Sequence, residues 1–126
     1  MKRVTGLGGI FFKAQDPKAL YEWYRRHLGV ESNADGSGAS WRDADHPEIP
    51  GSCVWAIFPK DTDYFGPAPS NFMMNFRVEN LLELLKLLRE EGVPIDPKVE
   101  EYDYGKFAWI TDPEGNRVEL WEPKAS

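Results

Sequence analysis

Twice along this chain an apolar strand candidate runs into a glycine-stopped amphipathic helix and then into two further strand candidates. GGIFFKA (8–14) leads into DPKALYEWYRRHLGV (16–30), and FMMNFRV (72–78) leads into ENLLELLKLLREEGV (79–93). In the first helix Asp16 is placed to cap and Pro17 to open the first turn. Leu20, Trp23, Tyr24, His27 and Leu28 recur at helical spacing, and Gly29 ends the helix. In the second, Leu81, Leu82, Leu84, Leu85, Leu87 and Leu88 supply the apolar face and Gly92 the stop. ASWRDAD and SCVWAIF follow the first helix, with HPEIPGS between them. KFAWIT and RVELWEP follow the second, joined by the turn DPEGN. KDTDYFGPAPS (60–70) separates the halves. The order predicts an α+β fold of two similar modules, about 4–59 and 71–123, within a single domain spanning 1–126.

Composition narrows the function classes. With 21 acidic and 15 basic residues the formal net charge is -6, and no basic face is apparent, so nucleic acid is not an expected partner. The single Cys53 excludes an internal disulfide and a thiolate zinc cage. No apolar run reaches membrane-spanning length and the start has no signal-peptide core, so a cytoplasmic protein without a membrane partner is expected. Aromatic residues make up 13% of the chain, a surplus of flat apolar surface that suits a concave ligand site.

Strand alternation says where that surface lies. Ile10, Phe12 and Ala14 share one face of the first strand, leaving Gly9, Phe11 and Lys13 on the other. Met73, Asn75 and Arg77 oppose the helix-facing set Phe72, Met74, Phe76 and Val78. In RVELWE, Val118 and Leu120 turn inward while Glu119 and Trp121 turn away. A five-residue DPEGN loop pairs Thr111 with Arg117, Trp109 with Glu119, and Phe107 with Trp121. The face away from the helices is therefore aromatic with a few charges, which points to a cleft. Trp55 and Trp41 are further candidates for its lining or for core, since the first-module hairpin has no fixed register. Trp23 and Tyr24 read as core, His27 as partly buried, His46 as exposed, and Cys53 as a small buried residue. Tyr102 and Tyr104 in EEYDYGKF, and Tyr64 and Phe65 in the linker, read either as lids or as rim packing.

These segments, above all ITDPEGNRVELWEP with its DPxGNxxEL ending and the helix reading DPxxxxxWYxxxLG, resemble the vicinal oxygen chelate superfamily. This is the glyoxalase, bleomycin-resistance protein and extradiol dioxygenase group. The resemblance spans about residues 4 to 123. It implies two βαβββ modules curled into a half-open mixed β-sheet barrel with helices outside, and a homodimer. It also implies four metal-ligand positions, falling on Gly9, near Trp55, on Met73 and on Glu119. Glycine and tryptophan offer a hard cation nothing, and methionine only a soft thioether, so no metal and no cofactor are expected. The alternative is a divalent metal with Glu119 as the sole matching ligand.

Glu119 then has two readings. It is a general base in an aromatic cleft, its pKa raised by desolvation, or it is a structural carboxylate paired with Arg77 or Lys13. Arg77 in turn either clamps a ligand anion or neutralises Glu119, and Lys13 is either a solvated strand-end residue or an anchor. The expected function is binding or sequestration of an aromatic or amphipathic small molecule. Its ligand-binding residues would be Phe11, Lys13, Trp55, Met73, Asn75, Arg77, Phe107, Trp109 and Trp121. The alternatives are a lyase, isomerase or dioxygenase using Glu119, or a dimeric partner module with a vestigial cleft. An anionic group facing Arg77 or Lys13 completes the expected ligand.

Overall fold

A computed structural model describes residues 3–30, 40–42, 48, 50–66 and 70–124, the side chains of 40–42 and 50–52 excepted. Its first half runs β1 (Val4–Ala14), α1 (Pro17–Leu28), β2 (Ser40–Arg42), β3 (Pro50–Ser52) and β4 (Val54–Pro59). The second half runs β5 (Phe72–Val78), α2 (Leu81–Glu90), β6 (Ile95–Tyr102), β7 (Gly105–Thr111) and β8 (Arg117–Pro123). Six strands form one open mixed sheet in the order β4-β1-β5-β8-β7-β6, and β2 and β3 pair separately. The strand–helix–strands order thus occurs twice in an α+β fold, joined where β1 and β5 pair antiparallel. No described helix is long and apolar enough to cross a membrane.

Local chemistry fixes the helix ends. Asp16 accepts from the Ala19 backbone N–H at 3.1 Å, Pro17 follows it, and Gly29 takes the left-handed φ of 71° that a side chain would resist. Asn80 caps α2 through the Glu83 N–H, and Glu122 on β8 accepts from the Leu81 N–H at 2.7 Å. That second bond ties the start of α2 to the sheet it covers. Leu81, Leu84 and Leu85 then bury against Val78, Ala108, Val118 and Leu120, forming the core of the second half.

The two helices are not equally packed. None of α1's described residues is fully buried, and Trp23, read from sequence as core, is 49% exposed. Among the described residues its ring contacts are with its helix neighbours Tyr24 and His27, and His27 is exposed rather than partly buried. Tyr24 and Tyr21 reach the sheet instead: Tyr24 meets Phe12 and Trp55, and the Tyr21 hydroxyl accepts from the Ile57 N–H. Leu82 likewise leaves the expected apolar face and is exposed, because it lies on the side of α2 away from Leu81, Leu84 and Leu85. Cys53 is half-buried between β3 and β4, its thiol donating to the Leu7 carbonyl. His46 and the side chain of Trp41 lie outside the described residues.

The strand β6 (IDPKVEEY) completes the three strands that the βαβββ resemblance calls for after α2, but the residue pattern alone marks no strand there. Pro97 and its acidic residues mask it, and its position at the sheet edge is what tolerates them. Leu84→Ala is expected to cost about 2–5 kcal/mol in chemical denaturation, and Leu82→Ala about 0.5 kcal/mol or less. Equal costs at both positions would contradict the packing described.

Candidate functional site

The β7–β8 hairpin sets the site, and its turn sets the hairpin. Asp112 Oδ1 accepts from the Glu114 and Asn116 backbone N–H groups at 2.9 Å each, and Gly115 takes a φ of 84°. The resulting register pairs Thr111 with Arg117, Trp109 with Glu119 and Phe107 with Trp121, as the DPEGN spacing predicts. Glu119 is thereby placed on the sheet face away from α2, and it is only 1% exposed.

Three neutral groups from three separate segments hold this carboxylate. Asn75 on β5, paired directly with Glu119, donates through Nδ2 to Oε1 at 2.8 Å. Trp109 donates through its indole Nε1 to Oε2 at 3.1 Å. The Tyr64 hydroxyl donates to Oε2 at 2.8 Å. Tyr64 arrives from the connection between the halves, which is pinned by Phe65, buried at 1% exposure against Met73, Phe11 and Trp109. The turn closes at Gly66, which has a φ of 71° and lies so close to Arg117 that an added Cβ would sit 2.9 Å from its Cδ.

Neither Arg77 nor Lys13 pairs with Glu119, which corrects the structural reading of that carboxylate. Lys13 Nζ sits over the Phe65 ring at 5.2 Å. Arg77 pairs in register with Trp121, two pairs beyond Asn75 and Glu119 along the strands. The cation nearest in effect is Arg117, which bonds Asp96 at 3.0 Å and lies over the Trp109 ring. Burial pushes the Glu119 pKa above its ordinary value, opposed in turn by the bonds from Tyr64, Trp109 and Asn75 and by the Arg117 charge. Burial, then the neighbouring Glu119 charge and the bond to it, push the Tyr64 phenol far up, so it remains a donor.

Above the carboxylate lies a cleft of about 520 Å³. Val54, Ala56 and Phe58 of β4, with Phe11 of β1 and Tyr64, form one wall. Phe107, Trp121 and Tyr104 form the other, and Asn75 and Glu119 lie on the central strands between them. Phe58 stacks on Tyr64 with ring centroids 5.2 Å apart, and Phe107 lies parallel to Trp121. Tyr102 and Tyr104 stack on each other at the rim, exposed, with their edges to Phe107. Met73 and Trp109 are buried beneath the cleft rather than lining it.

Trp55 is a correction. The parallel pairing of β4 with β1 matches Gly9 with Val54 and Phe11 with Ala56. Alternation then turns Trp55 to the helix side, where it meets Phe12 and Tyr24. Lys13 and Arg77 are also not among the described residues that line the cleft. Tyr64 and Phe58 are the contributors that sequence reasoning placed least well. Tyr64 lies in a linker without periodicity, and Phe58 in a strand whose register only the β1 pairing fixes.

The sequence profile of the Glyoxalase/Bleomycin resistance protein/Dioxygenase superfamily matches residues 7–120. The chain belongs to that superfamily. Its fold is shared by methylmalonyl-CoA epimerase from Mycobacterium tuberculosis, at 21% identity and a TM-score of 0.63, covering 99% of this chain and 92% of that one. A variant of Streptomyces coelicolor methylmalonyl-CoA epimerase, in complex with 2-nitronate-propionyl-CoA, is similar at 17% identity and a TM-score of 0.70, covering 97% and 99%. A Legionella pneumophila structure described as an NAD-dependent benzaldehyde dehydrogenase is similar at 14% identity and a TM-score of 0.58, covering 92% and 98%. No curated protein is significantly similar in sequence.

The donor set at the superfamily's metal positions does not fit a divalent ion. Gly9 has no side chain, and a Cβ there would lie 2.5 Å from the Val54 carbonyl oxygen. Val54 and Ala56, which replace Trp55 on the cleft side of β4, carry no donor atom. Met73 offers a thioether. Around Glu119 the structure presents N–H and O–H hydrogens, where a cation would need lone pairs. The Asn75 oxygen, which has no hydrogen-bond partner, turns towards Gly8 instead.

This clasp is testable at the carboxylate and at the amide. A carboxyl group whose folded pKa exceeds its unfolded one binds more protons when folded, so it loses stability as pH rises from the ordinary carboxylate value through the raised one. Glu119→Gln should therefore remove part of the stability loss across that window, read as the difference between wild-type and variant denaturation midpoints against pH. A flat difference would contradict the raised pKa. At Gly8 an added Cβ would lie 1.9 Å from Asn75 Oδ1. Gly8→Ala should displace the amide from Glu119 and lower stability by about 1–3 kcal/mol, the cost of stripping a partner from a buried polar group.

Proposed function

We propose that the chain binds a small aromatic or amphipathic molecule in this cleft and holds it without a metal ion. The observation that carries this reading is the floor of the cleft: a buried carboxylate whose oxygens are held by Tyr64, Trp109 and Asn75, beneath walls made largely of aromatic rings. A cleft of this volume suits a drug-sized ligand, and apolar walls with few polar groups suit retention. The three donors also favour binding over catalysis. A general base must reach a substrate proton, and both oxygens of Glu119 already accept bonds at 1% exposure.

A second reading has an observation in its favour. Burial raises the Glu119 pKa, the direction that makes a carboxylate a stronger base, and several solved neighbours are methylmalonyl-CoA epimerases. In that reading Glu119 is the base for proton transfer, and Tyr64 must swing off it to admit substrate.

Titration with a neutral naphthalene such as 2-acetylnaphthalene, followed by tryptophan quenching, should give saturable one-to-one binding that Trp121→Ala weakens at least about tenfold, or roughly 1.4 kcal/mol. Manganese, cobalt, nickel and zinc ions should leave the melting temperature unchanged. Retention of one metal per chain together with a raised melting temperature would overturn the metal-free reading. Exchange of the α-proton of methylmalonyl-CoA with deuterated solvent, present in the wild type and absent in Glu119→Gln, would replace binding by catalysis.

A further inference from the structure

We infer that the cleft selects a hydrophobic cation, an ammonium compound carrying an aromatic or branched alkyl body, drawn by the Glu119 charge at the cleft floor and held by the rings around it. This inference rests on the binding reading above and specifies the ligand class. Its first ground is an imbalance of charge. An ionised carboxylate has about four lone-pair positions, and here Asn75, Trp109 and Tyr64 fill three of them. All three donors are neutral. They satisfy directional bonding, but no described cation bonds the carboxylate: Arg117 acts on it only through its charge while bonded to Asp96, and buried charges are normally paired directly.

The described cations nearest the site are engaged with other groups. Lys13 lies over Phe65, Arg117 is bonded to Asp96, and Lys106 is 3.8 Å from Glu122. None of them lines the cleft, and neither does Arg77. Among the described residues no cationic side chain lines the cleft, which leaves room there for a ligand's positive charge. An anion, by contrast, would meet the carboxylate inside an apolar enclosure, with no cationic side chain among the described lining residues to offset the repulsion.

The second ground is the chemistry of the walls. Phe11, Phe58, Tyr64, Tyr104, Phe107 and Trp121 surround the space beside Glu119. Aromatic faces attract cations through their quadrupole, and several rings with one carboxylate form the kind of box that recognises ammonium groups. The order of strands separates the two ring sets, with Phe58 and Phe11 on β4 and β1 and Phe107 on β7, leaving Glu119 on β8 between them. A cation resting on the floor is thus flanked from both sides. The overall charge of -6 adds a long-range field of the same preference. This selection replaces the anionic ligand expected from Arg77 and Lys13.

Three probes of similar shape test the inference: benzyltrimethylammonium, its neutral carbon isostere neopentylbenzene, and phenylacetate. Binding to the full chain is followed by calorimetry and tryptophan quenching at one ionic strength. The ammonium should bind at least tenfold more tightly than the isostere, and phenylacetate should not bind measurably. Glu119→Gln should lower ammonium affinity at least tenfold and change isostere affinity less than threefold. Should that variant fail to fold, Phe58→Leu keeps the position apolar and removes one ring. It should weaken ammonium binding about threefold and leave the isostere unchanged. Isostere binding equal to or tighter than ammonium binding overturns the inference and leaves the binding reading standing. Failure of all three probes to bind overturns both.

Discussion

Glu119 is a carboxylate folded into a place where water cannot reach it, and the rest of the site is arranged around that fact. Moving a charged or polar group out of water without partners is among the costlier events in folding. Hydrogen bonds to a charged group contribute about 1.5–3 kcal/mol each, so three of them offset much of that penalty. Their origin matters as much as their number. Asn75 comes from β5, Trp109 from β7 and Tyr64 from the connection between the halves. One side chain therefore ties together the second half's sheet and the segment that precedes it. Through Asn75, packed against Gly8, the tie reaches β1 as well.

Much of this was legible in the sequence, and the reasons are local. Asp16, Pro17 and Gly29 bound α1 because capping and left-handed glycine are nearest-neighbour chemistry. DPEGN fixed the β7–β8 register because a turn of known length leaves only one pairing, and that register alone put Trp109 across from Glu119. Alternation put Asn75 and Trp121 on the cleft face for the same reason.

What stayed hidden depended on distant partners. Trp55 faces the helix because β4 pairs in parallel with β1, a strand far earlier in the chain, and no turn links the two registers. Tyr64 sits in a stretch without periodicity, so nothing local aims it at residue 119. The reading of Glu119 itself erred towards simplicity. A buried acid suggests a basic partner, and Lys13 and Arg77 stood on the right face, yet the carboxylate is held by a phenol, an indole and an amide. Residues that only donate hydrogen bonds carry no charge signal in a sequence. Trp23 shows the converse, an aromatic residue at helical spacing left half-exposed because α1 touches the sheet mainly through Tyr21 and Tyr24.

The hydrogens pointing at Glu119 also bear on how such a cleft changes over evolutionary time. Planting histidines at 9, 56 and 73 would not by itself rebuild an ion-binding centre on this backbone. The phenol, indole and amide already donate to the carboxylate, and an ion would have to compete with those bonds. Seating an ion there would therefore mean giving up bonds that now keep the acid in place, at a cost in stability.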